Sequence, residues 1–281
     1  MKVAYLGPEG TYTEELTKRL FPSADRNPLK SPLRIVWAIE RDDAQYGIVP
    51  GENIYGGGVE DTLDALTILG KETRIIGESS KDIHHCIGAL PGHSRIEQIL
   101  SHKQALSQCV RYVLKHYPEA DMRHEESTAE AAKKIAEQGL KNAAAIASRS
   151  ALEKYGLKVL EEEICPNNRT RFFVLGKEMT QPTGKDKTFL AIHPPMRDKP
   201  GILADIVNPL ATLNINQEFI VSRADGKGKY YFYTELDGHE EDERVAIALK
   251  AIKLSLDPKR AHPDTIKVLG SYANSDWKNA N

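Results

Sequence analysis

Short apolar runs and amphipathic stretches of helical period alternate along this chain, the pattern of α/β units in which strands are buried and helices cover them. Val3-Ala4-Tyr5-Leu6 predicts a buried strand, and Gly7 to Thr11 a tight turn into a helix from Thr13 to Leu20. Ser31-Pro32 is an N-cap followed by proline at the first helical position, and Leu33, Val36, Trp37 and Ile39 carry that helix to Glu40. A short strand, Tyr46 to Val49, stops at Pro50, and the glycine-rich stretch 51–58 leads to a helix through Val59, Leu63, Leu66 and Leu69. Thr73 to Glu78 and Ile83 to Gly88 predict strands that cross to a second lobe, and Ile96 to Leu100 is another short apolar run. Ser101 is placed to cap a helix from Gln104 to His116. A helix through Ala129, Ala132 and Ile135 ends at Gly139, Ala143 to Ala147 is a strand, and Ser148 to Tyr155 a helix closed by Gly156. Strands and helices in this order imply a mainly parallel sheet in each lobe.

Polar residues running straight into an apolar strand mark the stretch from Asn167 to Gly176. Side chains at a strand mouth are held by the sheet yet open to a ligand, as at the ends of open α/β sheets. The turn at Gly10 and the glycines before Val59 each precede a helix, whose free N–H groups and positive dipole end suit a carboxylate or phosphate. Each signal also fits an ordinary connection.

Residues 177–187, with Pro182, Thr183 and Gly184 among charges, read as a linker. After it the order is strand 188–193, helix 201–213, strand 219–222, turn 225–228, strand 230–236, helix 242–254 and strand 265–269. That is a βαββαβ, ferredoxin-like unit without a nucleophile–base pair or metal spacing.

The 281 residues suit two domains, and 40% hydrophobic with 28% charged residues fit a globular chain. A net charge of −2 leaves no basic field for nucleic acid or an anionic membrane. No signal h-region follows Met1 and no apolar run is long enough to span a bilayer, so the reading is cytoplasmic. Cys86, Cys109 and Cys165 lack paired spacing and read as buried thiols. His84 and His85 are adjacent on a strand and point to opposite faces, which favours a structural role over a shared metal.

Four stretches in order, Leu6 to Tyr12, Ser101 to Cys109, Glu126 to Ala129 and Thr170-Arg171-Phe172, together resemble prephenate dehydratase with a C-terminal regulatory ACT domain. The resemblance covers about residues 1 to 274 and, with no chorismate mutase segment before Met1, looks like the monofunctional form. It implies an α/β fold with a two-lobed, periplasmic-binding-protein-like catalytic domain at 1–178. Its lobes would be about 1–77 with 164–178, and 78–163. A ferredoxin-like α+β ACT domain at 187–274 and a polar tail at 275–281 would follow.

The implied reaction is decarboxylative dehydration of prephenate to phenylpyruvate in L-phenylalanine biosynthesis, without a cofactor or metal. By the same resemblance Thr170 assists loss of the ring hydroxyl, and Asn53, Ser101, Gln108 and Glu126 serve catalysis, with Glu125 the alternative to Glu126. Substrate binding falls to Gly10, Thr11, Gly57, Gly58, Arg171 and Phe172, with Arg171 either pairing a carboxylate or bracing the hinge and Phe172 chiefly packing. L-phenylalanine as effector would meet Gly201, Ile202, Leu203, Asn214, Ser222 and Arg223, and a homodimer or homotetramer would form through the ACT domains. Where the family has Pro-Ile-Glu-Asn-Ser and then Gly-Ser, this chain has Gly51, Ile54 and Gly58, which makes the expected pocket wall more apolar. Val221 and Ala224 replace the glutamate and proline of the family's Glu-Ser-Arg-Pro motif. Arogenate dehydration and non-catalytic amino-acid binding are the alternatives these departures leave open.

Overall fold

The computed structural model describes residues 1–55, 57–58, 60–195, 200–224, 229–258 and 262–277. Gly56, the helix position Val59, the turn 225–228 and the tail residues 278–281 lie outside the described residues. The first part of the chain runs β1 (Lys2–Leu6), α1 (Tyr12–Leu20), β2 (Asp25–Leu29), α2 (Pro32–Glu40), β3 (Tyr46–Asn53), β4 (Gly57–Gly58), α3 (Glu60–Ile68) and β5 (Arg74–Asp82). The next runs β6 (Cys86–Ala89), β7 (Gln98–His102), α4 (Lys103–His116), β8 (Asp121–Glu125), α5 (Thr128–Gln138), β9 (Ala143–Ala147), α6 (Arg149–Lys154) and β10 (Lys158–Glu161). Strand β11 (Arg169–Gly176) then returns to the first sheet.

The first sheet has the order β2-β1-β3-β11-β5, with β4 on β3, and the second β10-β6-β9-β7-β8. Both are mixed, which corrects the expectation of mainly parallel sheets. β1 pairs parallel with β2 and β3, but β11 runs antiparallel to β3 and β5. The reason is topological: the chain leaves at the end of β5 and re-enters at that same end, so β11 must run back along it. The two crossings, near residues 83–85 and 162–168, lie side by side. Ile83 N–H donates to Asn168 O at 2.8 Å, and Ile164 N–H to His85 O at 3.0 Å.

Local chemistry sets most element starts. Thr11, Ser31, Ser127 and Ser148 each accept the amide three residues on, as N-caps do. The cap expected of Ser101 is instead made by His102, whose Nδ1 accepts from Gln104 N–H at 3.4 Å. Ser101 lies one residue too early, inside β7. β3 continues past Pro50 because a register shift opposite Arg171 and Phe172 absorbs the missing N–H. There Gly51 makes room for Phe173, whose ring carbon would sit 2.5 Å from an added Cβ.

The remaining chain is β12 (Asp186–Ile192), α7 (Ile202–Thr212), β13 (Gln217–Ala224), β14 (Tyr230–Asp237), α8 (Glu243–Leu256) and β15 (Ile266–Ala273), an antiparallel sheet ordered β13-β14-β12-β15. Strand β12 is buried along its whole length, and its alternation explains why. Leu190 and Ile192 pack on α7 and α8, whereas Phe189 and Ala191 share a core with Leu63, Leu66, Phe173 and Leu175. This sheet therefore lies with its helix-free face on the first lobe. Large side chains so buried contribute about 1.5–3 kcal/mol each. Lys267 of β15 donates to the carbonyls of Leu66, Thr67 and Gly70 at 2.5–3.0 Å, closing the end of α3. Past β15, Trp277 N–H donates to Glu78 O at 2.6 Å, and Asp276 Oδ1 accepts from Ser80 N–H at 3.0 Å along the outer edge of β5.

Candidate active site

A cavity of about 400 Å³ opens between the first two sheets. Its wall is made of the first turns of α1, α3, α4 and α5 and the start of α2, through Tyr12, Asp61, Gln104, Thr128 and Ser31. A helix start leaves N–H groups without intrahelical partners and carries the positive end of the dipole, so five starts around one space favour an anion there. Lys30 adds a full positive charge, and Asp61 and Glu126 add two carboxylates that restrict where an anion can sit.

Behind this wall the amides of Asn53, Gln108 and Asn168 form a ring of hydrogen bonds whose polarity can be read from one backbone donor. Tyr55 N–H donates to Asn53 Oδ1 at 2.9 Å, so the Asn53 amide nitrogen faces the other way. From there it donates to Thr170 Oγ1 at 2.8 Å and to Asn168 Oδ1 at 2.9 Å. Gln108 Nε2 donates to Asn53 Oδ1 at 2.8 Å, which leaves Gln108 Oε1 to accept from Asn168 Nδ2 at 2.9 Å. The Thr170 hydroxyl is thus an acceptor inside the ring. Among the described residues it donates to no group, and its hydrogen is left for the cavity that Thr170 lines.

Thr170, Asn53, Gln108, Glu126, Thr11 and Phe172 meet at this cavity. Glu126 lines it whereas Glu125 is bound to Lys134 Nζ at 2.6 Å, which separates the two candidates. The Thr11 hydroxyl is engaged locally, donating to Pro8 O at 2.9 Å and accepting from Glu14 N–H at 3.3 Å. Gly57 and Gly58 lie in β4 opposite Asn53 and Glu52.

Four expectations are corrected. Ser101 is fully buried and donates to Ile146 O at 2.6 Å, so its hydroxyl belongs to the second sheet and not to the cavity. Gly10 does not line the space: its N–H is taken by Glu14 Oε2 at 2.7 Å and its carbonyl by Ser148 Oγ at 3.4 Å. Arg171 alternates to the opposite face from Thr170 and Phe172 and pairs with Glu52, Glu78 and Glu235 at 2.9, 3.0 and 2.7 Å. Ile54, expected to make the wall apolar, is 64% exposed and outside it.

The effector candidates line a different region. Gly201 opens α7 with φ +93°, Asn214 follows its end with φ +52°, and Ser222 and Arg223 lie on the edge strand β13. Ile202, the first residue of α7, is buried and Leu203 exposed.

Tyr12, His85 and Asn168 are site residues that periodicity does not reveal. Asn168 stood inside the polar stretch before β11, and only the amide ring distinguishes it from Asn167. His85 Nε2 is 2.9 Å from Gln108 Oε1, and the Tyr12 hydroxyl has two neighbours for its one hydrogen, His85 Nδ1 at 3.2 Å and His84 O at 2.8 Å. His84 turns outward and binds Glu163. Burial lowers the His85 pKa below 6.5 and raises that of Tyr12, so both are neutral at pH 7. His102 is likewise lowered, by burial and by His124. Among the described residues no group of three or more His, Cys, Asp or Glu side chains can hold a metal, and no helix is long and apolar enough to cross a membrane.

A two-lobed α/β cleft ringed by helix starts, carrying a ferredoxin-like unit on one lobe, is the class this geometry defines. A family model for prephenate dehydratase matches residues 3–180 and one for the ACT domain residues 196–253. The chain belongs to the prephenate dehydratase family. It is 36% identical to a prephenate dehydratase of Methanocaldococcus jannaschii, over 96% of this chain and 97% of that one. The structure of an Arthrobacter aurescens prephenate dehydratase in complex with L-Phe superposes with a TM-score of 0.83 at 34% identity, covering 98% of this chain and 90% of that one. A structure described as a novel type of quorum-quenching acylase is also similar, with a TM-score of 0.78 at 25% identity over 98% of both chains.

Proposed function

We propose that this chain converts prephenate to phenylpyruvate in phenylalanine biosynthesis and that L-phenylalanine regulates it through the ACT unit. The observation that carries the reading is the Thr170 hydroxyl, fixed as an acceptor by Asn53 and left with its hydrogen toward the cavity. In the reaction the ring carboxylate leaves as carbon dioxide, its bonding electrons enter the ring, and the hydroxyl departs with the C–O pair. Bare hydroxide is a poor leaving group, so a donor that tightens on it as charge develops lowers the barrier. The Thr170 hydroxyl fills that role while Asn53 Nδ2 supports its oxygen, and the departing oxygen finishes as water. A transfer that goes to completion leaves Thr170 as an alkoxide, and one proton from solvent restores its hydroxyl, so the turnover consumes one proton in all. The helix starts and Lys30 receive the two carboxylates, while Asp61 and Glu126 bar them from one side of the space.

Hydrolysis by Thr170 is disfavoured, because the group beside its oxygen is an amide that donates and not a base that draws its proton. Asp61 and Glu126 do favour a second reading: a carboxylate in the wall suits the ammonium of arogenate, which prephenate lacks. The division into a catalytic unit at 1–178 and an ACT unit at 187–274 is part of the proposal. So are a cytosolic setting and a homo-oligomer joined through the ACT units, for which the open edge of β13 offers a surface.

The test is phenylpyruvate formation by wild type, Thr170→Ala and Thr170→Ser, with prephenate and arogenate as rival substrates. We expect prephenate to be preferred, alanine to lower kcat by about 100-fold or more, and serine to restore most of it. Preference for arogenate would select the second reading, and binding without turnover would leave a regulator.

A further inference from the structure

His85 stands on the first crossing between lobes, 3% exposed, with α1 on one side of its ring and α4 on the other. We propose that His85 is a positioning residue for the dehydration: its Nε2–H holds Gln108, and through it Asn53, in the one orientation that leaves the Thr170 hydrogen facing the cavity. The proposal rests on the prephenate dehydratase reading for its kinetic arm alone.

The polarity of the amides follows the tautomer. Suppose the ring carried its hydrogen on Nδ1 instead. Gln108 would then turn its amide nitrogen to His85 and its carbonyl to Asn53, setting two oxygen lone pairs against each other across 2.8 Å. Asn53 can relieve that clash only by turning over. In doing so it would point its NH2 at Tyr55 N–H, which now donates to Asn53 Oδ1, and its carbonyl at Thr170. The Thr170 hydrogen would then be drawn to Asn53 and lost to the substrate. With the hydrogen on Nε2, every group in the ring has a partner of opposite sense, because Gln108 Oε1 accepts from both His85 and Asn168.

The arrangement also joins the lobes. Tyr12 and Asn53 belong to the first, Gln108 to the second, and His85 touches Tyr12 and Gln108 at once. The Tyr12 ring meets the imidazole edge-on, with centroids 5.6 Å apart, which holds the plane of the imidazole, and with Nδ1 bare the Tyr12 hydrogen goes to Nδ1 in place of His84 O. Positioning groups of this kind act through the residue that meets the substrate.

Nitrogen NMR of the ¹⁵N-labelled full chain reads the tautomer directly. We expect a protonated Nε2 and a bare Nδ1, and a ring protonated at Nδ1 alone would overturn the proposal. For kinetics, His85→Leu should lower kcat by about 30-fold with KM within about threefold, and His85→Gln, which keeps a donor, should stay within about fivefold. In a Thr170→Ala background the leucine change should cost nothing further; an equal loss in both backgrounds would show that His85 does not act through Thr170 and would overturn the idea. If the leucine variant does not fold, the glutamine variant and the tautomer still decide. A wild type that converts no prephenate would sink the functional reading and leave the tautomer test standing.

Discussion

Arg223 of β13 and Asp64 of α3 form an ion pair across the two units, Nη2 to Oδ2 at 2.8 Å, with both side chains about one-third exposed or less. The Tyr233 hydroxyl donates to the other Asp64 oxygen at 3.0 Å, and Lys267 closes the far end of the same helix. One turn before Asp64, Asp61 lines the cavity. Helix α3 is thus gripped by the ACT sheet at its middle and end while its start faces the substrate space.

An effector that competes for Arg223 would loosen this grip. Asp64→Asn is expected to shift the phenylalanine concentration for half-inhibition by about threefold or more, with uninhibited kcat within about twofold. An unchanged inhibition curve would mean that α3 does not carry the signal.

Arg171 neutralises carboxylates that would otherwise be buried together. Burial raises the Glu78 pKa despite Arg171 and Lys187 beside it, and Glu235 also accepts from the Tyr272 hydroxyl at 2.5 Å. Arg171→Met should lower unfolding free energy by about 3–5 kcal/mol in urea titrations, because it leaves these charges unpaired. Adding Glu235→Gln should recover part of the loss.

Asn168 closes the amide ring with one bond given and one received. Asn168→Leu should cost about 1–3 kcal/mol of stability, since Gln108 and Asn53 each lose a partner. It should also lower kcat for prephenate, and retention of full activity would remove the ring from the account of Thr170.

Glu40 gives a pH signature. Burial favours its protonated form, but the amides of Thr73, Glu72 and Lys71 bond Oε1 at 2.8–3.1 Å and hold its pKa below 4.5. A depressed carboxylate stabilises the fold above the unfolded value and loses that contribution as pH falls through the folded one. Wild type should therefore melt above Glu40→Gln at pH 7, and the gap in Tm should close below pH 4.5.

Strand β11, the ACT-like order and the cap at Ser31 could be read from the chain because each couples apolar alternation to a local signal. Strands β2, β8 and β10 could not: all three are sheet edges without a buried residue, so no alternation marks them. Among site residues, Thr170, Asn53 and Gln108 came through resemblance, and geometry joins them. Arg171 was drawn toward the site by its neighbour, yet adjacent positions on a strand face opposite ways. Ser101 fails for a related reason, since a buried hydroxyl can satisfy a sheet carbonyl as readily as a substrate. His85 had no local mark, because its partners lie 23 and 73 residues away.

The short segment after β15 has a mechanical consequence. The chain enters the ACT unit from β11 and, after leaving it, is fastened again to β5 by Asp276 and Trp277. A flap tied along one margin can swing; this sheet is tied at both edges, by the segment after β15 and by Arg223 of β13 to Asp64 of α3. While both ties hold, whatever the ACT unit communicates must travel as a slide or twist of the sheet beneath it, and β11, paired to β5 along its length, is the first strand to feel it.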